Sequence, residues 1–312
     1  MNAKLLKITV YAIAGPTCSG KTALAVRLAE HVDGEAVNFD SVQIYKGIQV
    51  ATAKPTEEER HGVPHHLIDY VDPNKDYTAA DWAVDATKKI EEIEASGRVP
   101  VLVGGTGFYL RTLRQPLFES PKTDAELRER LKAIKEKRGA EHLHRMLQRL
   151  DPSAAEQLFP NDAVRVMRAL EVYFQTGERL SEVQQKRSEP PEFAARIKLF
   201  VLNPPRDRLY ETINRRTEVH FENGLVDEVE QLLKAGVNEH GNALGAHGYR
   251  RVCEYLRGTR TLVSAIEQTK QDVRNYAKRQ LTWFRREPDA VRLDGFGTDE
   301  KVWEQLIAKA RA

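Results

Sequence analysis

Apolar and polar positions follow two different periods along the chain. A strand-like apolar run from Leu5 to Ala14 gives way to helical spacing from Lys21 to His31, and a second short run, Glu35 to Phe39, opens a loop-rich stretch. Helical spacing returns from about Ala79 to Ala95, ends at Gly97, and leads to the β-branched run Val99 to Val103. Short apolar runs joined by helical crossovers predict a parallel sheet covered on both faces. From Pro121 the texture changes. No convincing strand occurs between Lys122 and about Lys186, and helices are predicted over Asp124 to Arg138, Glu141 to Leu150 and Asp162 to Thr176, with Pro152 and Pro160 as separators and Gly177 as a C-cap. Pro190 and Pro191 precede a further core strand, Ile197 to Leu202. Helices over Asp207 to Asn223 and Leu225 to Ala235, a Gly-rich loop from Gly236 to Gly248, and a helix from Val263 to Arg286 follow. The pattern predicts an α/β protein: a parallel-sheet core, residues 1–121 and 190–312, interrupted by an all-helical insertion, residues 122–189.

Composition excludes several classes. The 312 residues are 41% hydrophobic and 30% charged, enough for a real core under a solvated surface, so wholesale disorder is excluded. Cys18 and Cys253 are too few for a disulfide framework or a four-thiolate zinc site. The histidines, among them His61, His65, His66, His142, His144 and His247, lack zinc-ligand spacing and are expected to pack or face solvent. No apolar run reaches the ~18 residues of a membrane span. With no small-residue cleavage site near the N-terminus, a cytoplasmic protein is expected. Net charge is only +2, but between Leu244 and Arg286 ten Lys or Arg face three acids. Lys270, Arg274 and Lys278 lie four residues apart there on one helix face, which makes this stretch the candidate polyanion surface.

The sharpest chemical signal is the run Gly15, Pro16, Thr17, Cys18, Ser19, Gly20, Lys21, Thr22, which satisfies G-x-x-x-x-G-K-S/T between a strand and a helix. Glycines let backbone N–H groups wrap an anion, the helix N-terminus adds positive potential, Lys21 supplies a point charge, and Thr22 can reach a magnesium ion. The loop specifies phosphate or diphosphate without specifying ATP. Asp40 follows the second strand, at the sheet edge where doubly wound folds bind ligands, and can serve as magnesium ligand, general base, helix N-cap or turn former. The third run ends in Gly104, Gly105, Thr106 and Gly107, where a P-loop hydrolase would carry a metal-binding aspartate. That ending argues against a motor or switch ATPase and favours a transfer reaction.

Seven strings, in order along nearly the whole chain, resemble the bacterial tRNA dimethylallyltransferases: GPTCSGKT (Gly15 to Thr22), FDSVQIY (Phe39 to Tyr45), TAKPT (Thr52 to Thr56), GVPHHLID (Gly62 to Asp69), LVGGTGFYL (Leu102 to Leu110), PNDAVRVMRALEVY (Pro160 to Tyr173) and YAKRQLTWFRR (Tyr276 to Arg286). The resemblance implies a P-loop NTPase-like fold. It also implies transfer of a dimethylallyl group from its diphosphate to N6 of adenosine 37 of tRNA, beside the anticodon, with Mg2+. By resemblance the donor diphosphate is bound by the loop from Gly15 to Thr22 and by Arg216, Asp40 accepts the N6 proton, and Thr106 steadies the reacting groups. RNA contacts are implied at Asp40, Ser41, Val42, Gln43, Thr106, Arg128, Val164, Arg165, Val166, Met167 and Arg168, with the insertion clamping the anticodon stem-loop. A monomer is expected. Ala51 stands where the family commonly has Gly, and Ala246 to Arg251 departs from a segment resembling A-I-G-Y-K-E, with His247 in an apolar position. The competing readings are a P-loop small-molecule or nucleoside kinase, using the same loop for ATP, and a non-catalytic RNA-binding protein.

Overall fold

The computed structural model describes residues 8–118 and 121–310. The expected first strand therefore lies partly outside the described residues, from Leu5 to Lys7; its remainder is β1 (Val10–Ala14). Then come α1 (Lys21–Val32), β2 (Gly34–Asn38), α2 (Glu57–Arg60), the edge strand β3 (His65–His66), α3 (Ala79–Ala95), β4 (Val99–Gly104) and α4 (Gly107–Arg114). Helices α5 (Ala125–Arg138), α6 (Ala140–Leu150), α7 (Pro152–Gln157), α8 (Ala163–Thr176) and α9 (Leu180–Val183) form the insertion. The core resumes with β5 (Ile197–Leu202), α10 (Arg206–Glu222), α11 (Leu225–Lys234), α12 (Tyr249–Leu256), α13 (Leu262–Phe284), β6 (Val291–Leu293) and α14 (Glu300–Ala310).

The chain divides into two compact units, residues 1–114 with 191–312, and residues 115–190. In the first, six parallel strands lie in the order β3-β2-β4-β1-β5-β6. Ile13, Val101 and Phe200 pack with Leu24 and Leu28 of α1 and Leu306 of α14. The alternate residues Ala12, Val37, Leu102 and Leu199 are equally buried, so both faces are covered, which is why these strands read as unbroken apolar runs. The order also positions the chemistry. The loops after β2, β4 and β1 leave the same carboxyl edge from neighbouring strands, so the ends of β2 and β1 stand about 10 Å apart, with that of β4 between them.

The second unit is wholly helical. Leu131, Leu143, Leu147, Val166, Leu170 and Val172 form its core, and Phe118 packs against it, so the unit begins earlier than the Lys122 start read from the sequence. Pro152 does more than separate helices. It is the first residue of α7, where its missing N–H costs nothing, and buried Asp151 caps that helix through Ala154 N (3.1 Å) while accepting from Ser181 Oγ (2.6 Å).

Candidate active site

The loop between β1 and α1 is bent by residues at positive φ: Gly15 (154°), Cys18 (63°) and Gly20 (80°). A Cβ on Gly15 would lie 2.9 Å from Leu202 Cβ, and one on Gly20 3.0 Å from Gly297 N, so close backbone packing as well as conformation calls for glycine at both. Ser19, fully buried, donates to Pro16 O (2.8 Å), and Gly297 N donates to Ser19 O (2.8 Å), fixing the loop from inside and from behind. No side chain caps α1, which leaves its first N–H groups available to an anion. Lys21 Nζ, donating to Pro16 O (2.7 Å), closes the loop on itself. Burial pushes the Lys21 pKa down to about 8; Asp40 pulls it up and Arg216 pushes it further down.

Arg216 reaches this loop from α10. Leu209 and Ile213 pack with Ala277 of α13, and Arg216 Nη2 donates to Thr17 Oγ1 (2.8 Å). Two cations thus converge on the loop. Burial, reinforced by Arg216, lowers the His220 pKa to about 4, and burial also lowers that of His247, so neither imidazole adds charge near neutral pH.

Asp40 is held from both sides. Buried Asn38 accepts from Asp40 N (3.1 Å) and donates to Leu67 O (3.0 Å), while Asp40 Oδ1 accepts from Val42 N (2.9 Å) and Gln43 N (3.4 Å). One oxygen therefore forms a turn, and Oδ2 has no hydrogen-bond partner among the described residues. Thr106 stands opposite: its N–H donates to Phe39 O (3.2 Å), and its Oγ1 accepts from Ser41 N (3.0 Å) and donates to Ser41 Oγ (3.3 Å). A Cβ on Gly104 would come within 2.6 Å of the Phe39 carbonyl, so the glycine lets these two strand ends approach.

Thr17, Cys18, Asp40, Ser41 and Arg216 line a cavity of about 440 Å3 in the first unit, together with Phe108, Tyr276 and His247 among others. Its volume suits a small organic diphosphate and part of a nucleobase. The fold thus brings together the loop, Asp40, Ser41, Val42, Thr106 and Arg216. Gln43 turns elsewhere: its Nε2 donates to Thr52 O and Ala53 O (3.0 and 2.8 Å), bracing the 41–53 loop. Tyr276 and Gln280, which lie in the string from Tyr276 to Arg286 but to which the sequence alone assigns no role, also belong to the site. They lie four residues apart on α13, a spacing that marks one shared face.

The basic surface is smaller than the residue count implies. Lys270 pairs with Glu218 (2.6 Å) and Glu267 (2.7 Å), Arg251 with Asp272 and Glu254, Arg260 with Glu254, and Arg257 with Glu239. Lys278, Arg279, Arg285 and Arg286 remain exposed.

In the insertion, Val164 and Arg165 are exposed and Met167 is half-buried. Val166 corrects the expectation: it is fully buried in the helical core and has no surface to offer RNA. Arg128 Nε and Nη2 grip Glu171 (2.6 and 2.8 Å), whose side chain is fully buried and also takes Arg168 Nη1 (3.3 Å). Truncating Arg128 to Ala leaves this carboxylate with a poorer partner set. A loss of about 2 kcal/mol is expected in denaturant or thermal melts, smaller when Glu171→Gln is added.

The family model described as IPP transferase matches residues 43–287. A tRNA dimethylallyltransferase of Koribacter versatilis (strain Ellin345) is 44% identical over 293 residues, covering 94% of this chain and 95% of the relative. One from Geobacter sulfurreducens is 47% identical over 282 residues, covering 90% of each. The crystal structure of a tRNA isopentenylpyrophosphate transferase from Bacillus halodurans superposes with a TM-score of 0.71 at 38% identity, covering 98% of this chain and 99% of that one. A eukaryotic dimethylallyltransferase acting on tRNA superposes with a TM-score of 0.79 at 28% identity, covering 98% and 78%.

Proposed function

The chain belongs to the IPP transferase family, and from that membership we propose that it transfers the dimethylallyl group of dimethylallyl diphosphate to N6 of adenosine 37 of tRNA, releasing diphosphate. The observation that carries this reading is the cavity that joins the anion loop and Arg216 to a carboxylate with one free oxygen.

The donor diphosphate lies in the loop Gly15 to Thr22, against the free amides of α1, Lys21 and Arg216. The adenine N6 lone pair is delocalised into the ring, so the rate comes from alignment with the allylic carbon, proton acceptance and stabilisation of the leaving group. N6 forms the new bond to that carbon as the bond to the bridging oxygen breaks, diphosphate takes the electron pair, and Asp40 Oδ2 takes the N6 proton. Thr106 holds Ser41 and the Asp40 turn in place and orients the reacting groups. The base leaves the anticodon-loop stack to enter the cavity. Ser41 and Val42 contact the RNA there, and Arg128, Val164, Arg165, Met167 and Arg168 of the insertion contact the anticodon stem-loop.

Thr22 offers a hard oxygen at the start of α1, and among the described residues no three His, Cys, Asp or Glu side chains converge on a metal site. That donor set fits Mg2+, which binds through few protein oxygens and substrate phosphates. Thr22 would hold the ion beside the donor, where it would supply positive charge to the leaving diphosphate. A monomer in a reducing cytoplasm is part of the same proposal, and the two free thiols, Cys18 and Cys253, fit that compartment. No helix among the described residues is long and apolar enough to cross a membrane.

The kinase reading is not favoured, because the relatives that match nearly the whole chain are tRNA dimethylallyltransferases and isopentenylpyrophosphate transferases. The test is mass spectrometry of unmodified tRNA incubated with protein, Mg2+ and dimethylallyl diphosphate. A C5 addition on one loop adenosine is expected; ATP-dependent phosphorylation of a small acceptor without that addition contradicts the reading. A pH dependence accompanies it. Below about pH 8 the Lys21 amine of the free protein is charged, and above it the charge is lost, so the donor Kd rises with pH by up to tenfold per unit. Lys21→Arg, charged throughout, removes the inflection in calorimetric titrations.

A further inference from the structure

Gln280 lies on α13, 5% exposed, between two loops that the sequence separates widely. Its Oε1 accepts from Thr17 N (2.8 Å) in the anion loop, and its Nε2 donates to Gly105 O (2.9 Å) beyond the end of β4. A carboxamide alone among side chains of this length offers one acceptor to an N–H and one donor to a C=O. The fit is close enough to dictate a neighbour. A Cβ on Gly105 would lie 2.2 Å from Gln280 Nε2, so residue 105 is glycine because the amide occupies its side-chain space. The contact extends at both ends: Thr17 Oγ1 accepts from Arg216, and Gly105 is followed directly by Thr106. The Tyr276 hydroxyl lies among Asp40, Thr106 and Gln280.

We propose that Gln280 is a positioning residue that holds the donor loop against the strand end carrying Thr106 and thereby sets the distance between the departing diphosphate and the attacking amine. The proposal rests on the transferase reading above and adds a residue that touches neither substrate. A displacement of about 1 Å between reacting groups costs on the order of a hundredfold in rate.

Gln280→Met keeps the volume and the fold while removing both hydrogen bonds. It is expected to lower kcat about a hundredfold and raise the donor KM severalfold, with tRNA KM near wild type and a melting temperature lowered by several degrees, because Thr17 N and Gly105 O lose their partner. Gly105→Ala drives a methyl into the amide and is expected to give the same pattern with Gln280 itself unsubstituted. In a Gln280→Ala background the methyl fills vacated space, so adding Gly105→Ala costs nothing further. Wild-type kcat and donor KM in Gln280→Met, or multiplicative losses in the Gly105→Ala and Gln280→Ala pair, overturn the proposal while wild-type transfer stands. Absence of C5 transfer by the wild-type protein overturns the transferase reading itself.

Discussion

Replacing Asp40 by Asn is expected to lower kcat by about a thousandfold, within the range of lost general-base catalysis, while donor and tRNA Kd change less than threefold. The amide keeps an oxygen for Val42 N and Gln43 N, so the turn survives, and the Asn38 contact, made through Asp40 N, is untouched. What goes is a basic oxygen at Oδ2, leaving the N6 proton without an acceptor as positive charge builds on nitrogen. Single-turnover assays with prebound tRNA separate this from a binding defect. Full activity in the Asn variant would show that Asp40 only shapes the turn, the outcome expected of a non-catalytic RNA-binding protein.

Lys21→Ala is expected to lower kcat/KM for the donor by 100- to 1,000-fold, the usual cost of removing a preorganised charge from a leaving-group site. The ammonium is already desolvated in the free protein, as its pKa near 8 records, so donor binding spends little on stripping water from it. It donates to Pro16 O until an anion arrives. Arg216 approaches from Thr17 and cannot replace it from that side, though it keeps residual affinity. The loss therefore falls on donor KM and kcat, with tRNA binding intact by filter retention. Equal weakening of tRNA binding would place the anion loop on RNA phosphates instead.

Those parts of the site that are contiguous along the chain are legible in the amino-acid sequence itself. The anion loop declares its chemistry in eight residues, and Asp40 and Thr106 stand out because each follows an apolar run whose parallel pairing puts the run ends on one edge. Arg216 is reached only through family resemblance. Helix α10 also carries Arg206, Arg208 and Arg215, and only the packing of Leu209 and Ile213 on α13 selects which arginine meets the loop. The basic stretch is overread for a related reason. Glu218 and Glu239, which neutralise Lys270 and Arg257, lie outside the window from Leu244 to Arg286 over which the charges balance so strongly positive. Val166 is misjudged because a string shared across a family does not distinguish a residue that meets a ligand from one that supports its neighbours. The last elements, β6 and α14, escape the pattern altogether; three residues of strand give too little periodicity, and burial of Leu293 against Val302 and Leu306 appears only in three dimensions.

The most direct test is a crystal structure of the protein with Mg2+ and dimethylallyl diphosphate. Diphosphate oxygens within hydrogen-bond distance of the backbone amides of residues 18–22, with Lys21 Nζ and Arg216 on the same groups and the C5 tail in the cavity beside Asp40, are the predicted result. Diphosphate bound elsewhere while that loop contacts no anion would contradict it.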